Sequence, residues 1–194
     1  MTNSAVAKKN YFTYSDYKAW ELAPGERFEL ICGEAYVMAA PNAYHQSILM
    51  ELAGQLRDYL KGKPCKVIPA PDDVRLFYAD DEMDNTVVQP DIAVICDAKK
   101  RAPEGCRGAP DLVVEILSPS NTAGEMERKF DLYRLAGVRE YWVLDPAMKT
   151  LYAYRFNGEA ILAKAYTAAD SFQAGIFPDL PIDLQSVFEE EPPL

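Results

Sequence analysis

The chain has 194 residues, 49% of them hydrophobic, and its 30 acidic residues against 20 lysines and arginines leave a formal charge of −10. That length buries one substantial core, so a single domain over residues 1–194 is expected, with a core from about 11 to 188 between short flexible tails. No apolar run approaches the roughly 18 residues of a spanning helix, the first residues lack the apolar stretch of a secretory signal, and a cytoplasmic location without membrane contact is expected. The acidic balance argues against strong binding to free duplex nucleic acid, because phosphate contacts require lysine and arginine.

In chain order, Thr13 and Asp16 have the spacing of a capping box for a short helix to about Ala23, stopped by Pro24-Gly25. Arg27 to Cys32 and Ala35 to Ala39 flank Gly33-Glu34 as a hairpin. Asn42 caps a long helix to about Lys61, with Ile48, Leu49, Leu52, Leu56 and Leu60 on its apolar face. Strands follow at about Cys65 to Pro69, Val74 to Tyr78, Asp91 to Cys96 and Leu112 to Leu117. A helix from about Asn121 to Ala136, capped by Ser120 or Thr122 and closed by Gly137, leads to a strand at Glu140 to Leu144. Asn157-Gly158 joins a last hairpin, Thr150 to Phe156 with Glu159 to Tyr166. The strand-helix-strand passage from Leu112 to Leu144 implies a parallel crossover and the hairpins antiparallel pairing, so the fold class is α/β with a mixed sheet.

Chemistry concentrates where acids interrupt apolar strands. Asp91 opens Ile92-Ala93-Val94-Ile95, and Glu115 sits inside Leu112-Val113-Val114-Glu115-Ile116. An ionised carboxylate in such a run costs several kcal/mol unless it is paired or holds a metal. Asp111 and Glu115 share one strand face but stand roughly 13 Å apart along it, at about 3.3 Å per residue. Magnesium takes its oxygens at about 2.0–2.1 Å, so the ligands of one ion must come from adjacent strands. Asp91 and Glu115 are therefore the expected metal pair, facing one cleft, and Asp111 turns or caps the loop after Pro110. The four cysteines have no C-x-x-C spacing, which implies reduced thiols and neither a zinc knuckle nor a disulfide framework. His45 is the only histidine, which excludes a histidine-rich metal site. Lys61, Lys63 and Lys66, with Lys99, Lys100, Arg101 and Arg107, form either a basic rim or solvated loops.

Pro90-Asp91, Glu115 and Lys129, with Arg27-Phe28-Glu29-Leu30-Ile31-Cys32-Gly33-Glu34 ahead and Gly137-Val138-Arg139-Glu140-Tyr141-Trp142-Val143-Leu144-Asp145-Pro146 behind, resemble the Uma-type restriction endonuclease family of the PD-(D/E)XK nuclease superfamily. The resemblance covers about Tyr11 to Phe188. It implies a restriction-endonuclease-like mixed β-sheet flanked by helices. It also implies an endonuclease that uses Mg²⁺, with Mn²⁺ as a substitute, to hydrolyse nucleic-acid phosphodiesters, DNA first, with weak generic affinity.

The superfamily's lysine follows its acid by two residues on the strand, where this chain has Leu117. Lys129, on the following helix with Glu125 and Tyr133 on the same face, is the catalytic candidate that the resemblance supplies. The alternative is an ordinary Glu125–Lys129 surface pair. Glu34 is a candidate third oxygen ligand or water holder, or else a polar hairpin residue, and His45 a site residue or a member of a capped first turn. Ser118 to Thr122 offers helix-start N–H groups to a phosphate or simple capping. Aromatic residues around Tyr141, Trp142, Tyr152, Tyr154 and Phe156 motivate a homodimer, or belong to the core. Two other functions stay open: a non-catalytic interaction protein on the same scaffold, and a metal-dependent hydrolase of a small phosphorylated molecule.

Overall fold

The computed structural model describes residues 11–189; the expected flexible tails at 1–10 and 190–194 lie outside the described residues. Helix α1 (Tyr14–Lys18) precedes strands β1 (Phe28–Ile31) and β2 (Glu34–Val37), and α2 (Ala43–Leu60) leads to β3 (Lys66–Pro69). Next come β4 (Val74–Arg75), β5 (Val87–Val88), β6 (Ile92–Ile95), β7 (Arg101–Ala102), β8 (Gly105–Arg107) and β9 (Leu112–Ile116). Helix α3 (Ala123–Ala136) is followed by β10 (Glu140–Asp145), β11 (Thr150–Asn157), β12 (Ala160–Thr167), β13 (Phe172–Gln173), β14 (Pro181–Ile182) and α4 (Leu184–Val187).

The larger strands form a six-stranded sheet in the order β12-β11-β10-β9-β6-β3, in which β9 and β10 run parallel and the other neighbours antiparallel. Successive strand side chains face opposite sides, and both sides are apolar here. Ile92, Val94, Leu112, Val114 and Ile116 pack with Ile48, Leu52 and Leu56 of α2. Ala93, Ile95, Val113 and Val143 pack with Leu132 and Tyr133 of α3. The β9-α3-β10 passage thus encloses the centre of the fold, as a parallel connection through a helix must. A second sheet, β2-β1-β5-β4-β8-β7, lies beside the first.

Local chemistry explains the helix ends. Thr13 and Asp16 form the capping box, but α1 stops at Ala19 rather than near Ala23. Asn42 accepts from the His45 N–H at 2.8 Å to start α2. Thr122, not Ser120, caps α3 by accepting from the Glu125 N–H, and Gly137 closes that helix with φ of 91°, a conformation glycine takes at little cost.

Two expectations need correction. Cys65 and Cys96 form a disulfide: β3 and β6 pair with Lys66 opposite Ile95, so the two cysteines face one another one step further on, a neighbourhood that 31 residues of separation conceal. Cys106 is buried and free, its thiol pushed up to about 12 by burial, and Cys32 is free and exposed. The strand expected to reach Tyr78 ends at Arg75, whose guanidinium is drawn into a buried pair with Asp84. Several of the aromatic residues named with a homodimer pack within the chain. Tyr141 and Trp142 are sealed in the two cores, while Tyr154 and Phe156 pack edge-on against Phe130 of α3.

Candidate active site

Five elements, β1, α2, β6, β9 and α3, converge on one cluster of charge. The β6–β9 register pairs Ile92 with Val114, so Asp91, one residue earlier, stands opposite Glu115 on the α3 side of the sheet. Here Asp91 replaces the next rung of the ladder: its Oδ2 accepts the Ile116 N–H at 2.7 Å. Glu115 is only 8% exposed, and its Oε1 accepts from Lys129 Nζ at 3.0 Å and from the Tyr133 hydroxyl at 2.5 Å. Both donors come from α3, four residues apart, because side chains at i and i+4 share a helix face. Lys129 is 4% exposed and also donates to Glu29 Oε1 on β1 at 3.0 Å. Glu29, 4% exposed, takes a further hydrogen bond from the Gln89 N–H.

These contacts remove the surface reading of Lys129. Glu125 instead accepts from Asn121, and the lysine lies under the cavity, between acids of two sheets. Glu34 is corrected as well. It is exposed, its carboxylate accepts from the Tyr36 hydroxyl at 2.7 Å, and it does not join the cluster: it shares the sheet face of Glu29 but sits opposite Ile31 at the turn end of the hairpin. Glu29, and not Glu34, is the acid of this hairpin that joins the cluster, through Lys129. His45 does join: it is 6% exposed, with Nε2 at 3.1 Å from the Ile116 carbonyl and 3.3 Å from Asp91 Oδ2. Asp111 lies elsewhere, accepting from the Cys96 N–H and pairing with Arg139.

The electrostatics follow from crowding. Burial raises Glu115 to about 7; Lys129 opposes the shift, while Asp91 and Glu29 add to it. Burial works against the Lys129 cation, but Glu115 and Glu29 outweigh it and raise its pKa. Burial likewise opposes a charged His45, yet the hydrogen bond and charge of Asp91 hold it above its usual value. Tyr133 is held well above 10 by burial first and by Glu115 and Glu29 next. Negative charge therefore exceeds what one lysine neutralises.

Glu29, His45, Asp91, Glu115 and Lys129 line a cavity of about 310 Å³. Asp91 Oδ1, Glu115 Oε2 and Glu29 Oε2 take no hydrogen bond from the described residues, and none of the three is sealed from solvent. Among the described residues, no group of three histidine, cysteine, aspartate or glutamate side chains is arranged to hold an ion by itself. A magnesium site needs less, since that ion keeps several waters and takes one or two protein carboxylates. Asp91 and Glu115, opposite one another with an open oxygen each, fit that requirement.

The basic clusters do not rim this cavity. Lys63 lies over Tyr59, Lys100 donates to the Ala109 carbonyl, Arg101 to the Pro64 carbonyl, and Arg107 pairs with Glu104. The cations that line it with Lys129 are Arg27 and Arg128, and Ser118, Ser120 and Thr122 line it from the turn before α3.

Residues 14–185 match the Uma2 family model, described as "Putative restriction endonuclease". The chain belongs to the Uma2 family. Among curated proteins, it is 30% identical over 118 residues to uncharacterized protein slr1290 of Synechocystis sp., a match covering 61% of this chain and 60% of that protein. It is 27% identical over 143 residues to uncharacterized protein sll1609 of the same organism, covering 72% and 78%. A crystal structure from Anabaena variabilis ATCC 29413, described as "a putative nuclease belonging to DUF820", superposes with a TM-score of 0.71 at 19% identity, over 91% of this chain and 97% of that one. The mixed α/β fold is thus shared with that Anabaena protein. Among the described residues of this Uma2 chain, no helix is long and apolar enough to cross a membrane.

Proposed function

We propose that this Uma2 protein is a divalent-metal-dependent nuclease that hydrolyses phosphodiester bonds, with DNA the first substrate to test. The observation that carries the reading is the pairing of Asp91 with Glu115 across β6 and β9, each with an open oxygen, above a lysine buried between two acids. The family and the Anabaena neighbour support the nuclease class.

Asp91 and Glu115 would hold Mg²⁺ or Mn²⁺, which when bound polarises a phosphoryl oxygen and lowers the pKa of water. The chain's own groups prepare the site. The Ile116 N–H fixes one oxygen of Asp91, a residue that lines the cavity, and leaves the other without a hydrogen bond from the described residues. Lys129 spends two of its three N–H donors on Glu29 and Glu115; the third remains to meet charge growing on a phosphoryl oxygen, from a largely buried position where such a donor counts for more than in open water. Glu29 fixes Lys129 rather than touching substrate, and Arg27 and Arg128 supply cations for the flanking phosphate oxygens.

The test is cleavage of single-stranded DNA, duplex DNA and RNA with Mg²⁺ or Mn²⁺ by wild type and by Asp91→Ala and Glu115→Ala, with folding checked by circular dichroism. Metal-dependent cleavage lost in both variants is expected. Equal trace cleavage in all three proteins overturns the proposal, and the formal charge of −10 then favours an interaction protein on the same scaffold.

A further inference from the structure

A second cavity, of about 890 Å³, opens on the other side of the Ser118–Asn121 turn. It shares His45, Ser118 and Asn121 with the carboxylate cavity. His45 borders both, and its Nε2 is 3.3 Å from Asp91 Oδ2. The lining changes character across that divide. Tyr44, Leu117, Pro119 and Pro146 contribute apolar surface, and the one carboxylate present, Asp145, has Oδ1 occupied by the Ala147 and Met148 N–H groups. The volume lies within the roughly 300–1,000 Å³ of pockets that enclose a small organic group.

We propose that this second cavity receives the base of an unpaired nucleotide adjoining the reacting phosphate, so that the substrate is single-stranded nucleic acid rather than intact duplex. The inference rests on the nuclease reading. A phosphate over Asp91 and Glu115 has its neighbouring nucleoside within reach of the space beyond His45, and that space is concave and largely apolar. A base stacked and paired in a duplex cannot enter it, whereas an unstacked base can. Single strands are held partly by bases lying against aromatic and apolar walls, a contribution that does not draw on basic residues. That matters in a chain of charge −10 whose basic clusters do not line the site.

The test uses a short single-stranded DNA carrying one 2-aminopurine, the same strand annealed to its complement, and an RNA of the same sequence. Binding is read by fluorescence with Ca²⁺ and cleavage with Mn²⁺. Ala147→Trp and Ser47→Trp fill the cavity from two different elements, and Met148→Trp, at an exposed residue outside it, controls for added bulk. The single strand should bind roughly 10-fold or more tightly than the duplex, and each filled variant should lose roughly 10-fold or more of that affinity while the control stays as wild type. The RNA arm distinguishes which sugar the site accepts. Duplex binding as tight as single-strand binding, or filled variants that bind like wild type, overturns the inference. Cleavage that persists unchanged in the filled variants removes the base site and leaves the nuclease standing. Cavity-dependent binding without cleavage does the reverse, and absence of both removes both.

Discussion

Lys129 on α3 donates to Glu29 on β1 at 3.0 Å, across 100 residues of sequence. The same ammonium holds Glu115 on β9, so one buried cation ties the helix and both sheets to the candidate metal position. Stability and chemistry depend on the same side chain.

Lys129→Met should therefore destabilise the fold well beyond the few tenths of a kcal/mol of a surface pair. Removing one partner of a buried ion pair typically costs about 3–5 kcal/mol, because the remaining charge is left uncompensated. The cost should be smaller at pH 5 than at pH 8, since the stranded carboxylates can take up protons at the lower pH. Urea unfolding at the two pH values measures both effects; a loss under about 1 kcal/mol at pH 8 would mean that the lysine is not buried between these acids.

Glu29 and Glu34 separate cleanly by substitution. Glu29→Gln weakens the anchor of Lys129 and should lower kcat by roughly 10²-fold, the scale of a lost electrostatic donor, with KM little changed. Glu34→Gln alters an exposed hairpin residue bonded to Tyr36 and should leave kcat within about twofold, since it makes no contact in the cluster. The reverse ranking in steady-state kinetics would restore Glu34 to the site.

Much of the site was legible from strand alternation, and the rest had identifiable obstacles. Asp91 and Glu115 each interrupt an apolar run, and adjacency of their strands was the only geometry allowing a shared ion. Glu29 carries the same signal, a lone acid in Phe28-Glu29-Leu30-Ile31, and could have been found by the same rule, whereas the family resemblance points to Gly33-Glu34 in the same hairpin. The burial of Lys129 was not legible, because helix spacing alone places it equally well on a wet surface. The second sheet was also hidden. Strands β4, β5 and β7 have two residues each, too few for a period of two to show, and their hydrogen bonds come from partners distant in sequence.

Proton and metal should compete at Glu115. Its pKa, raised to about 7 by burial with help from Asp91 and Glu29, means that the folded state holds a proton there between the ordinary value of 4.5 and about 7, where the unfolded chain does not. This group's contribution to stability is thus greatest below 4.5 and declines as pH rises through that window. A divalent cation replaces the proton, so Mn²⁺ should raise Tm more at pH 8 than at pH 6. Glu115→Gln should largely abolish the pH dependence of that Tm shift. Equal Mn²⁺ shifts at both pH values in wild type would contradict the assignment of Glu115 as a ligand.

Thiol counting tests the β3–β6 junction. Unfolded without reductant, the protein should present two reactive thiols, Cys32 and Cys106, and four after reduction, given the Cys65–Cys96 bond. Four thiols without reductant would show the pair to be reduced in the purified protein, the usual state in a reducing cytosol.

The most direct measurement of the central claim is anomalous diffraction from a crystal soaked in Mn²⁺ at pH 8. One peak between the Asp91 and Glu115 carboxylates, with Lys129 still bonded to Glu29 and Glu115, is the predicted result. A well-ordered site with no peak there, or with manganese bound only at Asp111 or Glu34, would contradict it.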